Sequence, residues 1–350
     1  MFKLLTFSLS FIALFLVLFA AWASYPWSIS AKKFSNEVID LNTYQEDDDL
    51  RPSVLKILTW NVGFFYGEGS EGEGYEKKDS SFFSERLVLA SEELRQWDAD
   101  IVFLQEIDFD SSRSHNVNQA ITLAKLAGYH YVALAPSWIM NYIPFPYWPV
   151  SDHFGVMNSG GAILSRYPLQ NNRVHLLEKP KSNPWWYNLF YLHRFLQDVE
   201  VVVGQKTFSI TNLHLEAFDK SNREDQIRTL VEQHLKENID FIAGDFNMVP
   251  DGASQKSKFL NGDDYENDLS FSLMNESGLD EVIPMDIYDN SEKDYFTFPS
   301  SRPDRRLDYI FYQRGLKLMK AEVLTSTLSD HLPVRAIFQI DSPRINPYSL

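Results

Sequence analysis

The sequence contains no cysteine among its 350 residues. That absence excludes a disulfide framework, a thiolate zinc site, a redox-active dithiol and a cysteine nucleophile. Basic residues are also scarce, because 32 lysines and arginines stand against 48 acidic residues, for a net charge of −16. A broad basic surface of the kind that holds proteins to nucleic acid is therefore not expected. An enzyme that reaches a few phosphates through a metal ion is compatible with this balance.

Size and composition place the chain among ordinary globular proteins. Charged residues make up 23% and hydrophobic residues 44% of the sequence, so the bulk of the chain is not expected to be disordered. The length is above the usual single-domain range, but some α/β folds reach it as one unit with a large core. We expect one folded domain at residues 54–341, and a monomer.

A long apolar segment opens the sequence. Residues 4–30 carry no charge, and no acidic residue precedes Glu37. This pattern predicts that residues 1–30 form a signal peptide or a membrane anchor. The triplet Ala21-Trp-Ala23 resembles a small-residue cleavage site and favours a signal peptide, whereas the length of the run and its closing aromatic residues suit an anchor. Both alternatives predict export, with the protein secreted or held in the cell envelope.

Three polar segments are predicted outside the core. Residues 31–53 are rich in acids and predict a tether between the apolar segment and the domain. Residues 67–74 contain four glycines and predict a flexible loop, since such a segment cannot pack a core. Residues 342–350 form a short tail.

The remaining pattern is that of a mixed α/β domain. Runs rich in β-branched and aromatic residues predict strands, at residues 54–62, 100–106, 161–165, 197–203, 207–215, 241–244, 307–312 and 334–340. Apolar residues at helical spacing predict helices, at residues 84–97, 117–127 and 222–236. Because several strands follow one another with few helices between them, the pattern favours two packed sheets flanked by helices over a doubly wound parallel sheet.

Hydrophilic side chains recur where the predicted strands end or meet loops. The positions are Asn61, Glu106, His214, Asp245 with Asn247, Asp308, and Asp330 with His331. A single such residue beside a buried run carries no weight. Their recurrence at six strands indicates that they converge on one site.

Seven short motifs containing these residues occur in the order found in a known superfamily. They are Trp60-Asn61, Leu104-Gln-Glu106, Gly160-Gly-Ala-Ile-Leu-Ser165, Asn212-Leu-His214, Gly244-Asp-Phe-Asn247, Arg306-Leu-Asp308 and Ser329-Asp-His331. Over residues 54–340 the chain thereby resembles the endonuclease/exonuclease/phosphatase superfamily, and within it the bacterial sphingomyelinase-like members. The resemblance implies a four-layered α/β/β/α sandwich of two mixed sheets, and hydrolysis of a phosphoester with a divalent metal.

The same resemblance suggests which residues hold the metal. Glu106 matches the family's principal ligand, Asn61 lies beside it, and Asp330 matches a residue that serves the metal site. Oxygen ligands suit a hard cation, so Mg²⁺ is expected, with Mn²⁺ or Ca²⁺ as alternatives. The competing interpretations are a helix cap or salt bridge for Glu106 and a turn-forming amide for Asn61.

Five further residues match the family's catalytic positions. Asp245 and Asn247 position the attacking water and the phosphate by resemblance; as neighbours two apart they project to the same side if the backbone is extended, and an Asx turn is the alternative. His331 polarises the phosphate or accepts a proton, and Asp308 orients it. His214 matches a second histidine of the deoxyribonuclease I and sphingomyelinase branches. The sequence does not identify its partner.

Other polar residues carry weaker signals. Asn158 and Ser159 precede a predicted strand, where they either touch the phosphate or form a turn. Asp108, Asp110 and Arg113 either extend the metal site or, as we expect, belong to a solvated loop.

Two aromatic segments bear on the substrate. Residues 138–148 and 185–191 hold four of the eight tryptophans. They predict either a rim that enters a lipid interface or two loops that pack on each other as a small core. Prolines argue that the first is not a regular core element.

Three functions follow from these observations. The first is a phosphodiesterase that acts on a phospholipid headgroup, with membrane contact through the N-terminal segment and the aromatic segments. The second is a secreted or envelope-associated nuclease similar to deoxyribonuclease I, which the acidic charge disfavours. The third is a non-catalytic binding module on the same fold. The missing cysteine also disfavours the inositol polyphosphate 5-phosphatase branch, whose signature contains one.

Overall fold

Two β-sheets form the centre of the molecule. The computed structural model describes residues 2–25, 38–41, 52–68, 76–234 and 239–340. The strands of the described residues are β1 (Val38–Asp40), β2 (Val54–Asn61), β3 (Ile101–Asp108), β4 (Tyr131–Ile143), β5 (Gly155–Ser165), β6 (Leu169–Leu176), β7 (Phe195–Val203), β8 (Lys206–His214), β9 (Phe241–Asp245), β10 (Asp280–Glu281), β11 (Asp308–Tyr312), β12 (Lys317–Val323) and β13 (Val334–Gln339).

Helices lie between the strands and differ in length. They are α1 (Phe2–Ser24), α2 (Ser80–Trp97), α3 (Gln119–Ala127), α4 (Trp185–Asn188), α5 (Lys220–Thr229), α6 (Ser270–Asn275) and α7 (Met285–Ser291). A π-helical turn, Leu230–His234, continues α5.

Both sheets are mixed, as predicted. The first has the order β1-β4-β5-β3-β2-β13-β12 and the second the order β10-β11-β9-β8-β7-β6. Within each sheet one neighbouring pair is parallel, β2 with β3 in the first and β8 with β9 in the second. The carboxyl ends of these two parallel pairs carry most of the polar residues singled out in the sequence.

Three hydrophobic cores separate four layers. The central core lies between the sheets and contains Ile57 from β2 and Ile210 from β8. A second core packs Leu87 of α2 and Leu123 of α3 on the outer face of the first sheet. A third packs α5 and α6 on the second sheet, with Phe271 among its members. The predicted α/β/β/α sandwich is confirmed.

A ladder of buried amides ties the two sheets together. Gln105 of β3 donates to Asn212 Oδ1 of β8 at 2.7 Å. Asn212 in turn donates to Gln197 Oε1 at 3.1 Å and to the carbonyl oxygen of Leu104 at 3.1 Å. Gln197 donates to the carbonyl oxygen of Ala133 at 3.0 Å. Each partner satisfies a group that would be costly to bury alone, so the ladder fixes how the sheets face each other.

Side-chain caps explain where the helices begin. Asp79 accepts from the backbone N–H of Phe82, so α2 begins at Ser80 and not at the predicted residue 84. Asn118 caps α3 in the same way, and Gly128 ends that helix in the left-handed conformation as predicted. The third predicted helix, 222–236, changes from α to π geometry at Leu230, and residues 235–238 lie outside the described part.

The structure adds strands that the sequence pattern does not show. β6 and β12 are edge strands whose solvent-facing polar residues hide their alternation. β4 continues to Ile143, so the expectation that residues 138–148 lie outside regular core structure is wrong for their first half. Pro136 lies at a shift in the β4–β5 register, where a missing N–H is tolerated.

The N-terminal region contains one helix and one short strand. The rings of Phe19 and Trp22 in α1 lie 5.9 and 6.2 Å from that of Tyr142. Val38–Asp40, inside the predicted tether, pairs with β4. Among the described residues no helix meets both the length and the apolarity needed to cross a membrane. Residues 69–74 of the predicted glycine loop and the tail (342–350) lie outside the described residues.

The amide ladder gives a stability prediction. Asn212→Leu removes a hydrogen-bond partner from buried groups of Gln105, Gln197 and Leu104, and we expect it to lower the free energy of unfolding by about 2–4 kcal/mol. Urea denaturation followed by circular dichroism measures the change. Asn275→Ala, at an exposed position on α6, is the control and should change it by less than about 0.5 kcal/mol. Equal stability of the two variants would contradict the role of the ladder.

Candidate active site

The polar residues at the strand ends lie together at one end of the sandwich. Asp245 ends β9, and its neighbours in the sheet register are His214 of β8 and Asp308 of β11. Asn61 ends β2 in the facing sheet. Strands from both sheets therefore contribute to a single cluster, and the predicted convergence is observed.

Asp245 is the centre of this cluster. Asn61 Nδ2 donates to Asp245 Oδ2 at 2.9 Å across the gap between the sheets. The Nε2 atoms of His214 and His331 lie 3.3 and 3.8 Å from the same oxygen. Burial raises the pKa of the Asp245 carboxyl to about 7, opposed by His331 and reinforced by Asp308. The site thus holds a carboxyl group that can exchange a proton near neutral pH.

His331 is held by Asp308 as the resemblance implies. His331 Nδ1 lies 2.8 Å from Asp308 Oδ2. Burial lowers the pKa of His331, but the charges of Asp308, Asp245 and Asp330 outweigh burial and raise it to about 10. The backbone N–H of His331 donates to Ser329 Oγ at 3.1 Å, which fixes the position of the ring. The neighbouring carboxylates thus favour the protonated ring, whose Nε2 faces the cluster.

Glu106 is a partly exposed carboxylate of the cluster. Its side chain is 27% exposed, against 2% for Asp245. Its φ is 52°, and the register between β3 and β5 shifts between Leu104 and Ile107. Such a bulge redirects a side chain away from the alternation of its strand. The bulge therefore turns Glu106 toward the cluster, 3.3 Å from Asn61 Nδ2.

Asn61 and Asp330 meet at a glycine turn. Asn61 Oδ1 accepts from the backbone N–H of Gly63 at 3.0 Å. Gly63 has a φ of 47°, and a Cβ atom there would overlap Asp330 Oδ1. The glycine lets the Asp330 carboxylate approach the backbone beside Asn61. Asp330, Asn61 and Glu106 are thus near one another, and their role as metal ligands stays a prediction.

Arg194 is a site residue that the sequence reasoning missed. It directly precedes β7 and donates to the ring of His214. Arg194 is thus the partner of His214 that the sequence could not identify. Its Nε lies 3.6 Å from Glu216 Oε2, and both residues are buried. Burial, Arg194 and His331 hold the pKa of His214 well below its usual range, so the ring is neutral. The sequence feature that could have identified Arg194 as a site residue is its position as a lone arginine directly before an apolar strand.

The Asp245-Phe-Asn247 segment is a turn and not an extended strand. The backbone N–H of Asn247 donates to Asp245 Oδ1 at 2.9 Å, which is an Asx turn. Asn247 has a φ of 51°, and its side chain donates to the carbonyl oxygen of Leu215 at 2.9 Å. The expectation that both side chains project to one side is wrong, because it assumed an extended backbone. The turn leaves Asp245 Oδ2 for the cluster.

The polar residues with weaker sequence signals differ in their burial and in their hydrogen-bond partners. Asp108 and Arg113 form a buried ion pair with two hydrogen bonds of 3.0 and 2.9 Å, so the solvated-loop interpretation is wrong for them. Asp110 is exposed. Asn158 and Ser159 are buried in β5, and Asn158 Oδ1 accepts no hydrogen bond from the described residues. Arg113 also stacks on Phe64 at 3.5 Å, which accounts for its burial.

The donor atoms of the cluster suit a hard divalent cation. The described residues contain one compact group, Asp245, Asp308 and His331, with ligand atoms within 4.8 Å of one another. Glu106, whose side chain is 27% exposed, adds a further carboxylate beside Asn61. Asp308 Oδ1 is buried and accepts no hydrogen bond from the described residues. The excess of negative charge thus fits a nearby cation.

The sequence model of the endonuclease/exonuclease/phosphatase family matches residues 58–331, more than half of the chain. The chain belongs to this family. Its members are hydrolases that act on phosphoester bonds, and they generally depend on a divalent metal. No curated protein sequence matches the chain.

Solved structures show the same fold. An endonuclease/exonuclease/phosphatase from Beutenbergia cavernae DSM 12333 has a TM-score of 0.58 and 20% identity, over 84% of this chain and 73% of that one. A mannosyl-6-phosphatase of Bacteroides thetaiotaomicron VPI-5482 has a TM-score of 0.51 and 18% identity, over 81% of this chain and 98% of that one. D. rerio TDP2 complexed with single strand DNA product has a TM-score of 0.53 and 15% identity, over 83% of this chain and 100% of that one. These identities support the fold alone.

The ion pair of the cluster gives a titration prediction. Asp308→Asn removes the negative charge that stabilises the imidazolium, so the pKa of His331 should fall below about 10. Two-dimensional NMR of the histidine rings in chelator-treated protein, recorded against pH, measures this pKa. Asp286→Asn, at an exposed carboxylate of α7, serves as the control and should leave it unchanged. The same His331 titration in both variants would refute the assigned pairing.

Proposed function

We propose that the protein is a divalent-metal-dependent phosphodiesterase that acts on a phospholipid headgroup. The observation that carries this proposal is a rim of exposed apolar side chains beside the polar cluster. Trp148, Trp185 and Tyr147 are 80%, 76% and 71% exposed. Soluble proteins seldom leave so many large aromatic side chains in water without a binding function.

The rim, which we call the aromatic rim, consists of two segments. Its exposed members are Phe145, Tyr147, Trp148, Val150, Trp185, Trp186, Tyr187 and Leu189. Trp138 Nε1 donates to the carbonyl oxygen of Phe190 at 3.0 Å, which joins the segments. Beneath them Met140, Ile143, Phe154 and Met157 form a small core. The inner residues pack together, as the small-core interpretation predicts, and the outer ones face solvent, where they are available for the lipid contact that we propose.

A chain of contacts connects the aromatic rim with the catalytic cluster. Tyr191, which follows the rim, donates from its hydroxyl to Glu216 Oε1 at 2.8 Å. Glu216 pairs with Arg194, and Arg194 contacts His214. A lipid whose apolar part meets the rim would therefore present its phosphate close to His214 and Asp245. Tryptophan and tyrosine also suit the boundary between headgroups and acyl chains.

The cluster supplies the parts that phosphodiester hydrolysis needs. Asp245 accepts a proton from a water whose oxygen attacks the phosphorus, the bond from phosphorus to the leaving oxygen breaks, and Asp245 returns the proton to that oxygen. His331 stabilises the charge that develops on the phosphate oxygens. Asp308 keeps the His331 ring oriented. Neutral His214, backed by Arg194, faces the phosphate or the leaving oxygen. Asn61 holds Asp245 in place, and the side chain of Asn247 fixes the turn that follows it.

Glu106, Asn61 and Asp330 are the proposed holders of the cation, for which we propose Mg²⁺. When bound, a divalent cation supplies positive charge to the phosphate and to the leaving oxygen. Glu106 offers a carboxylate that is 27% exposed. A cation at this position would also lower the free-energy cost of burying the carboxylates around Asp245, because it offsets their negative charge.

Export is part of the proposal. The exposed apolar side chains of α1 include Phe11, Phe15 and Leu18. The ring contacts of α1 with Tyr142 put it next to β4, the strand that leads into the aromatic rim. An N-terminal segment and a rim on neighbouring elements can meet one lipid surface. We propose that the enzyme acts outside the cytoplasm, on a membrane that the α1 region also contacts.

Activity of the full chain on vesicles tests the chemistry. With Mg²⁺ present, wild-type protein should release a phosphorylated headgroup from phospholipid vesicles, and chelation should abolish release. Asp245→Ala should lower kcat by about 10³-fold, because it removes the general base. Release is measured by ³¹P NMR of the soluble fraction. Degradation of DNA or RNA with inert lipids would instead favour the nuclease alternative, and inertness toward every phosphodiester would favour the binding module.

A rim variant separates membrane contact from chemistry. Trp148→Ala with Trp185→Ala should lower vesicle binding and vesicle hydrolysis at least tenfold. Each tryptophan side chain that enters the lipid contributes about 2 kcal/mol to the binding free energy. Hydrolysis of soluble bis(p-nitrophenyl) phosphate should stay within about twofold. Sedimentation with vesicles measures the binding. Met319→Ala, at an exposed residue of edge strand β12, is the control and should behave as the wild type. Unchanged vesicle binding by the double variant would show that the aromatic rim does not bind the membrane.

A further inference from the structure

A buried ion pair follows Glu106 by two residues and takes no part in the chemistry above. Arg113 donates two hydrogen bonds to Asp108, at 3.0 and 2.9 Å, and both side chains are almost fully buried. Buried ion pairs add little net stability, because the cost of removing two charges from water offsets their attraction. This pair is therefore a candidate for a role other than stability.

The backbone at the proposed cation ligands lies in the left-handed region. The φ angle is 52° at Glu106, 47° at Gly63 and 54° at the following Phe64. Asn61 accepts from the backbone N–H of Gly63, and the Asp330 carboxylate approaches the same glycine. Residues other than glycine occupy this region at a cost in free energy, so contacts with the surrounding protein have to maintain it. The positions of the three ligands therefore depend on what holds these two segments.

The guanidinium of Arg113 connects the two segments through side chains. Its central carbon lies 3.5 Å from the centre of the Phe64 ring, while its nitrogens hold Asp108. A planar guanidinium can bind a carboxylate as a fork and stack on a ring at the same time, whereas a lysine ammonium offers neither the fork nor the plane. The turn after Asn61 is thereby packed against the strand that carries Glu106.

A buried glutamine makes a second connection between the same segments. Gln119 Oε1 accepts from the backbone N–H of Asp108 at 2.9 Å, and Gln119 Nε2 donates to the carbonyl oxygen of Phe64 at 3.2 Å. We call Phe64, Asp108, Arg113 and Gln119 the ligand clamp. Because its two connections join the same pair of segments, Phe64 cannot move away from Asp108 without breaking contacts in both.

Further aromatic rings enclose the ligand clamp. The central carbon of the Arg113 guanidinium lies 4.9 Å from the ring centre of Phe154 and 5.8 Å from that of Trp138. Phe154 belongs to the small core beneath the aromatic rim. Close packing of this kind leaves a side chain little freedom. The guanidinium is thus fixed by packed rings and not by solvent-exposed groups.

We propose that the ligand clamp pre-organises the cation site and that Arg113 is its positioning residue. Arg113 acts through Phe64 on the Gly63 turn, which holds two of the ligands, and through Asp108 on Glu106. Without the clamp, cation binding would have to be accompanied by ordering of the left-handed backbone, and the apparent affinity would fall. The inference rests on the cation site of the proposed function and adds the residues that determine its affinity.

Metal affinity of the full chain tests the ligand clamp without turnover. Mn²⁺ is the probe, and electron paramagnetic resonance measures its free concentration. Asp108→Leu with Arg113→Met replaces the ion pair by apolar side chains, a change that buried pairs often tolerate. This double variant should bind Mn²⁺ about tenfold more weakly than the wild type or worse. Phe64→Leu keeps the ion pair but removes the stacked ring, and should weaken binding about threefold or more.

An ion pair at the other end of β3 supplies the matched control. Arg166 pairs with Asp100, directly before β3, and its guanidinium carbon lies 6.0 Å from the centre of the Tyr129 ring. Arg166→Met should keep the Mn²⁺ affinity within about twofold, since it is distant from the ligands. Glu106→Gln should weaken Mn²⁺ binding and thereby identify the site that is measured.

Hydrolysis at saturating metal separates positioning of the cation from positioning of the catalytic groups. With saturating Mg²⁺, both clamp variants should hydrolyse bis(p-nitrophenyl) phosphate with a kcat within about threefold of the wild type. A kcat that stays low at saturating Mg²⁺ would show that the clamp orders the catalytic groups instead, and would overturn the inference. Wild-type Mn²⁺ affinity in either folded clamp variant also overturns it. Circular dichroism verifies folding, and Phe64→Leu decides if the double variant unfolds.

Failure of the proposed function gives a different result. Intact vesicle lipids, with strong Mn²⁺ binding by the wild type and weak binding by the clamp variants, would retain the ligand clamp and reject the lipid substrate. Mn²⁺ binding that Glu106→Gln leaves unchanged would reject the cation site, and the ligand clamp with it.

Discussion

The hydrogen bond from Asn61 to Asp245 joins the two sheets at the candidate active site, and the other groups of the site are arranged around it. Its length is 2.9 Å, and both side chains are almost fully buried. Burial of a carboxylate is costly unless partners compensate for the lost water. The Nε2 atoms of His214 and His331 approach Asp245 Oδ2 at 3.3 and 3.8 Å, and the Asx turn at Asn247 satisfies the other oxygen. The geometry therefore depends on two sheets that face each other in a fixed register.

Rigid strands maintain that register close to the site. The amide ladder through Gln105 and Asn212 runs between the sheets, one strand position before Glu106 and two before His214. At Gly244 a Cβ atom would overlap the carbonyl oxygen of Leu213, so only glycine lets β9 approach β8 at this point. The polar groups of the amide ladder and the polar groups of the candidate site are thus neighbours along the same strands. Such an arrangement holds catalytic side chains more precisely than loops would.

Much of this architecture follows from the sequence, because buried strands and their polar ends leave a local pattern. β2, β3, β8, β9, β11 and β13 are predicted within a few residues, and the cluster residues lie at their ends. Other features depend on contacts between distant segments. Arg194 and Glu216 become a pair only after folding, and the edge strands β6 and β12 lack a two-sided apolar pattern. The buried pair of Asp108 and Arg113 resembles a solvated loop in sequence, since nothing local shows that aromatic rings cover it.

The central claim is that chemistry takes place where Asn61 joins the sheets. The most direct test is the Mg²⁺-dependent hydrolysis of bis(p-nitrophenyl) phosphate by Asn61→Leu, with folding verified by circular dichroism. Leucine keeps the volume of the side chain but cannot hold Asp245 or approach a cation. The account predicts a loss of about 10²-fold in kcat/KM relative to wild type. A folded Asn61→Leu protein with wild-type kcat/KM would contradict it.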